Sequence, residues 1–458
     1  MLFCRLSHFS TSLLALALAL ALASSACSDN DRAPYTGWLV DYTIDGPLEA
    51  GASGTDGALD GGALDGAALD GAALDHSPGE DRPTDGAPAA DVLSGCVFDP
   101  GPADRERVAV VSRPYAEDFT QAGDYEVIHI SSAGVLSRPN IVFTMTRTFS
   151  GEIIFSADGR FGYVAQEDGS IGVFRVEADR SVVVLDATFD PGFHVSRLVM
   201  GPGGRRLFAL NSQWRVHGGG IYQLAMECDG TLTNLGLLAA SKIPFAMGFL
   251  SDSLAVVAAR DILDSPAGHD VHLVSLAPTP TVTPSTSLIT SASVFDDDES
   301  AIADVAITAD QRYALLPDIV FKGDDRLAVV DLGKGGTTAP SVVQVLAYED
   351  PSKVIMSPFN NAALLLGVAA DRLTVLNYTP SNPEPFTERG KVKTSSSTLL
   401  PDEAVMIRRG SLAGHVFVAE NVTIRRLRFF PDGRVEEVDA FSFGTGGRAV
   451  VGAMGVQP

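Results

Sequence analysis

Ile153-Ile154-Phe155, Ser156-Ala157-Asp158-Gly159-Arg160, Gly162-Tyr163-Val164-Ala165: an apolar strand, a polar turn and a second apolar strand make up one unit. The unit returns as Leu198-Val199-Met200, Gly201-Pro202-Gly203-Gly204-Arg205, Leu207-Phe208-Ala209-Leu210, and further copies centre on Phe249, Ile307, Met356 and Ile407. The equivalent positions Phe155, Met200, Phe249, Ile307, Met356 and Ile407 lie 45, 49, 58, 49 and 51 residues apart. Residues 96–458 otherwise alternate with period two and break at Gly, Asp, Asn and Pro, which predicts many short antiparallel strands. A repeat of roughly 40–50 residues with four strands each is that of propeller blades.

Third and fourth strands recur as well, in Ile171–Val176, Gly220–Leu224, Arg326–Asp331 and Arg372–Leu376. Six complete units follow Ser150. The partial unit before it (Val108–Ser112, Tyr125–Ile130, Val135–Val142) has no innermost strand. Arg448-Ala449-Val450-Val451 has the character of that missing strand. The expected fold is therefore all-β: a seven-bladed propeller of four-stranded blades, with the C-terminal strand completing the first blade. Such closure removes the open sheet edges that invite aggregation. Six or eight blades are the alternatives.

The Ser-x-Asp-Gly-Arg turn followed by a Tyr-Val or Leu-Phe strand resembles the lactonase-type seven-bladed propeller superfamily, which includes the Tyr-Val-Thr-Asn repeat proteins. The resemblance covers most of residues 105 to 455. The turn is sharp at Ser156–Arg160 and degenerates to Thr308-Ala309-Asp310-Gln311-Arg312 and Ser357-Pro358-Phe359-Asn360-Asn361. It implies a fold, and a hydrolase of lactones as one of the activities that fold supports.

Ahead of the propeller, Leu13–Ala23 is an apolar Leu/Ala run too short to span a membrane, and it reads as the core of a secretory signal. Ser24-Ser25-Ala26-Cys27 resembles the bacterial lipoprotein signal, which implies residues 1–26 as signal peptide and Cys27 as the acylated residue. An ordinary signal cleaved near Ala26 is the alternative. Ser28 stands where an inner-membrane retention signal has Asp, so the expected address is the outer membrane of a Gram-negative bacterium, by lipid anchor only. Residues 27–95 read as a disordered acidic linker. Their stutter Ala58-Leu59-Asp60-Gly61, repeated at Ala63, Ala68 and Ala73, has one Leu per five residues and cannot offset the entropy of ordering. Between Ser28 and Gly95 there are 14 acidic residues against two arginines, and the whole chain carries −24. Phosphate-backbone recognition depends on Lys and Arg, so nucleic acid is excluded as a partner. Cys96 and Cys228 remain after the signal and the lipid are set aside, and an even pair in an exported chain predicts one disulfide.

Two groups of residues are candidates for a ligand site. Just ahead of each inner-strand core stand Glu152, Arg197, Ala246, Asp304, Lys353, Glu403 and Arg448. Six of these are charged, either as a polar channel-mouth site for a small or sugar-like ligand or as mutually paired ions. The long top loops Asn211–Gly219, Asp261–Asp270 and Pro317–Asp325 carry Trp214, His217, His269 and Lys322, and long irregular loops are where binding concentrates. Asp296–Glu299 is an acidic loop, and His194 precedes an inner strand where lactonase-type proteins can place a functional His. No Gly-x-Ser-x-Gly elbow, His-Glu-x-x-His helix or phosphate loop occurs, so no catalytic residue, cofactor or metal is assigned. The expectation is a tethered propeller that binds a protein or a small polar ligand, or serves as a scaffold; the alternative is a lactonase-like hydrolase at the channel mouth.

Overall fold

The computed structural model describes residues 96–458, apart from 113–123, 147–149, 214–217, 296–299, 321–324, 349, 368–371, 394–400, 421–422 and 444–452. The expectations for Cys27, the signal and the linker lie outside the described residues.

Seven antiparallel sheets follow one another along the chain. Blade 2 runs Ser150–Phe155, Phe161–Gln166, Ile171–Val176, Val182–Phe189, each strand paired with the next. Blades 3 (Arg197–Ala240), 4 (Ile243–Ala292), 6 (Pro351–Lys393) and 7 (Pro401–Ser442) repeat this order, and blade 5 (Ser300–Ala347) does so with a divided inner strand. Blade 1 takes Arg107–Ser112, Asp124–Ile130 and Leu136–Thr144 from the start of the propeller and Met454–Val456 from the end of the chain. Among the described residues the one helical segment is the turn Gly410–Leu412, and no helix there is long and apolar enough to cross a membrane.

Burial explains why the second strands are nearly continuous runs of apolar residues. Side chains alternate between the two faces of a strand, and here both faces are covered by neighbouring blades. In Arg107–Ser112, Val108 and Val110 pack toward blade 2, while Ala109 and Val111 pack toward blade 7. Each of the seven interfaces holds its own apolar cluster, with Phe174, Phe208, Phe386, Phe417 and Phe429 fully buried. The outermost strands face water on one side and alternate accordingly, as Thr286–Ala292 does.

The recurrent turn is held by its own side chains. Ser156 Oγ accepts the Phe161 amide at 3.0 Å and donates to Asp158 Oδ1 at 2.6 Å, and the same Oδ1 accepts the Arg160 amide. Gly159 sits at φ +73°, in the left-handed region. The degenerate copies keep the geometry after losing the motif: Gln311 (φ 59°) and Asn360 (φ 54°) occupy the same left-handed position, and Thr308 Oγ1 accepts the Tyr313 amide as Ser156 does Phe161.

The described residues of the closing strand are Met454-Gly455-Val456, in register with Ala109–Val111, and the Arg448–Val451 segment expected to complete blade 1 lies outside the described residues. A β-carbon at 455 would lie 2.4 Å from the Ile153 carbonyl oxygen of blade 2, so only glycine fits there. Arg448 itself lies outside the described residues.

Candidate functional site in the channel

Inner strands start at the top of the ring and end at the bottom turns, so the residues near their starts face one another around the channel mouth. The inner strand of blade 5 is broken there. Ser300–Ile302 and Ala306–Ile307 both pair with Tyr313–Val320, and the three residues Ala303–Val305 stand opposite only Leu316 and Pro317. This is a β-bulge, and Pro317 accounts for it. The Ala303 amide donates to the Pro317 carbonyl at 2.9 Å, but proline has no N–H to return to the Ala303 carbonyl. The strand containing Pro317 runs on to Val320, so the top loop expected from Pro317 begins later than the sequence implied.

Arg197, at the start of the blade 3 inner strand, takes up that carbonyl. Its Nη1 donates to the Ala303 oxygen at 2.6 Å, and its Nη2 lies 3.7 Å from Asp304 Oδ1. The Asp304 carboxylate is further occupied, accepting the Val305 amide at 2.9 Å on Oδ1 and the Val354 amide of blade 6 at 3.2 Å on Oδ2. Two charged side chains and three backbone dipoles thus join blades 3, 5 and 6. Lys353, half-buried next to Val354, also has an interaction partner. Of the expected channel-mouth residues the structure brings Arg197 and Asp304 together, with Lys353 adjacent in sequence to the amide that Asp304 holds. The side chains of Glu152 and Glu403 lie outside the described residues, as does Arg448.

Among the top-loop candidates, Trp214, His217 and Lys322 lie outside the described residues, and so does Asp296–Glu299. His269 is half-buried, with Nδ1 2.7 Å from Ser291 Oγ. His272 is fully buried, its Nε2 2.9 Å from the Ala259 carbonyl. Its pKa is pushed down to about 4, chiefly by burial. His194 packs over the Asp168–Gly169 turn, where a β-carbon on Gly169 would come within 2.2 Å of its Nδ1. Among the described residues no three of His, Cys, Asp or Glu gather to hold a metal ion.

Three carboxylates that sequence reading passed over are fully buried: Glu126, Asp318 and Glu420. Each has a guanidinium on the neighbouring strand. Arg138 Nη2 lies 3.0 Å from Glu126 Oε2, Arg326 Nε 3.0 Å from Asp318 Oδ2, and Arg425 Nε 2.7 Å from Glu420 Oε1. A signal existed in the repeat: Asp318 lies near the top end of its second strand and Glu420 closes its own, where Gln166 and Asn211 close theirs. A polar residue at the end of an otherwise apolar strand marked the position. Each guanidinium offsets the charge of its carboxylate, so none of these three acids is buried as an uncompensated charge.

At the bottom, a disulfide joins Cys96 to Cys228, with their Cα atoms 5.2 Å apart. It fastens the entering segment beneath blade 3, and Phe98 then packs edge-on to Phe161 of blade 2.

Neither a protein-family model nor a curated protein matches the sequence. Solved structures do match in fold. A 6-phosphogluconolactonase-like protein of Bacteroides uniformis superposes with TM-score 0.56 at 12% identity, over 77% of this chain and 99% of its own. The periplasmic gluconolactonase of Pseudomonas aeruginosa gives 0.54 at 17% identity, over 74% and 97%. A hypothetical selenium-binding protein of Sulfolobus tokodaii gives 0.57 at 12%, over 78% and 94%. What these structures share with the chain is the β-propeller fold.

Proposed function

We propose that this lactonase-type propeller is a non-catalytic binding module, tethered to the outer membrane through lipid on Cys27 and an acidic linker, and presenting its top loops to a protein or a small polar ligand. The observation that carries this reading is the engagement of Arg197 and Asp304 with each other and with the backbone of Ala303, Val305 and Val354. General acid–base catalysis needs a carboxylate free to reach a substrate proton; Asp304 spends both oxygens on holding the ring. The long top loops and the linker's reach support a presentation role.

The likeness to lactonases favours a second reading, a lactone hydrolase acting at the same mouth. At 12–17% identity the likeness is one of fold, and activity resides in sites grafted on folds. Incubating the purified chain with glucono-δ-lactone decides between them. The expected result is hydrolysis no faster than in buffer, equally for the native chain and Asp304→Asn. Turnover that Asp304→Asn abolishes would replace the binding-module reading with the hydrolase.

A further inference from the structure

We propose that the loop Ala277–Ser285, at the bottom margin of blade 4, is a site of O-linked glycosylation, with Thr279 and Thr283 as the acceptors. The connections between third and fourth strands lie at the bottom of the ring and follow one pattern in four blades. In blades 1, 2, 3 and 7 they are the five-residue turns Ser131–Val135, Glu177–Ser181, Glu227–Thr231 and Phe430–Arg434, each closed by a bond from the first amide to the last carbonyl. Blade 4 keeps the closing bond, from the Ala277 amide to the Ser285 carbonyl at 3.0 Å. It spans nine residues, Ala277-Pro278-Thr279-Pro280-Thr281-Val282-Thr283-Pro284-Ser285.

Blades 5 and 6 also have long connections there, and each is fastened to a neighbour. A β-carbon on Gly336 of blade 5 would lie 2.9 Å from the Leu250 side chain of blade 4, and the Pro380 carbonyl of blade 6 accepts Arg312 Nη1 of blade 5 at 3.2 Å. The hydrogen bond that ties the blade 4 loop to another blade is at its base, where Arg206 Nη1 donates to the Ala277 carbonyl at 2.5 Å. At the tip, Thr281 Oγ1 donates within the loop to the Thr283 carbonyl at 2.7 Å, and Val282 is 58% exposed. Thr279 and Thr283 are exposed, and their hydroxyls make no hydrogen bond among the described residues.

Prolines set the display of these hydroxyls. Thr279 and Thr283 each precede a proline, which disfavours the helical region and biases both to extended backbone. A stiffened, extended segment presents its hydroxyls to an enzyme at low entropic cost. Charge is missing from the whole stretch: residues 271–295 contain no Asp, Glu, Lys or Arg, although 20% of the chain is charged. A partner that reads charge therefore finds nothing to pair with, and uncharged Thr, Ser and Pro in series is the composition of O-glycosylated segments. A disulfide such as Cys96–Cys228 persists in oxidising, exported compartments, where lipid-carried sugars are at hand and ATP-dependent phosphorylation lacks its donor. In the transfer, threonine Oγ attacks the anomeric carbon of a sugar carried on a polyprenyl phosphate. The new C–O bond forms as the bond from the anomeric carbon to the phosphate oxygen breaks. The polyprenyl phosphate leaves, and the hydroxyl proton passes to a base of the transferase.

The test uses the full chain purified from the cells that make it. Proteolytic peptides covering residues 277–292 are weighed and then sequenced by electron-transfer fragmentation, which leaves a sugar bond intact. The expected result is a mass excess of one or more hexose or N-acetylhexosamine residues, carried on Thr279, Thr283 or both. Thr279→Val/Thr283→Val should abolish the excess without moving the melting transition, because neither hydroxyl is bonded in the folded chain. Thr286→Val should keep it, since that hydroxyl already donates to the Ser275 carbonyl at 2.7 Å. The pair of variants separates loss of the acceptors from a general failure of processing. An unmodified peptide, a phosphate in place of the sugar, sugar confined to other segments, or an excess that survives the double change would overturn the site. None of these outcomes bears on what the top loops bind or on whether the channel mouth is catalytic.

Discussion

Ala303 donates its amide to Pro317 and receives nothing back, and the carbonyl so released is the one that Arg197 holds from two blades away. A proline that would ordinarily be excluded from the second of four strands thereby creates the acceptor for a cross-ring contact. Arg197→Met should leave that carbonyl and the Asp304 carboxylate short of a charged donor. The expected cost is about 2 kcal/mol, read from urea denaturation. Asp304→Asn keeps an oxygen for the Val354 amide and should cost less. Equal, negligible effects would mean that solvent replaces the contact without loss.

Closure of the ring depends on Gly455 facing the Ile153 carbonyl. A methyl group at 2.4 Å cannot be accommodated without moving the closing strand or blade 2. Gly455→Ala should therefore destabilise by about 1–3 kcal/mol, as overpacking does. Amide exchange should speed up in Arg107–Ser112 before it does in blades 4 and 5. Uniform acceleration across all blades would show that the closing strand is no weaker a link than the others.

The repeat, the blade count and the use of a C-terminal closing strand were legible because alternation and turn chemistry are local. The need for glycine at 455 was not, because it comes from the Ile153 carbonyl of the next blade, a property of the assembled ring. Pro317 misled for a related reason. Proline reads as the end of a strand, and only the missing donor on the bulged side allows the strand to continue to Val320. The channel residues Arg197 and Asp304 were picked out by their place in the repeat, but their pairing was one of two outcomes left open. Glu126, Asp318 and Glu420 were missed because a lone acid at a strand's end looks like the beginning of a solvated loop. Their burial follows from arginines on the neighbouring strands.

The disulfide closes a sequence separation of 132 residues between the entering segment and blade 3. Loops of that length give roughly 3–5 kcal/mol of stabilisation in the chain-entropy model. Cys228→Ala should lower the urea midpoint accordingly and release the segment around Phe98, visible as faster exchange in residues 96–106. Thiol titration of the native chain should detect two fewer reactive groups than titration after reduction. Equal counts before and after reduction would show that the bond does not form.

The last prediction concerns acid. His272 is fully buried among apolar neighbours, and burial, partly offset by the bond to the Ala259 carbonyl, brings its pKa from 6.5 to about 4. His415 is shifted to about 4 as well, by burial and by the charges of Arg426 and Arg428. The sign follows from proton binding. Between pH 6.5 and 4 an unfolded chain protonates these imidazoles while the folded chain does not, so protons favour unfolding. Above pH 6.5 both states are neutral and the histidines contribute no slope. Stability should therefore fall as pH drops from about 6.5 to 4. For His272 the full loss is on the order of 3 kcal/mol, since one unit corresponds to about 1.4 kcal/mol. Urea midpoints measured at half-unit intervals from pH 7.5 to 4 should show the decline, and His272→Gln should flatten it while lowering stability at pH 7.5. A decline of unchanged steepness in His272→Gln would mean that the imidazole is already charged, or open to water, in the folded chain.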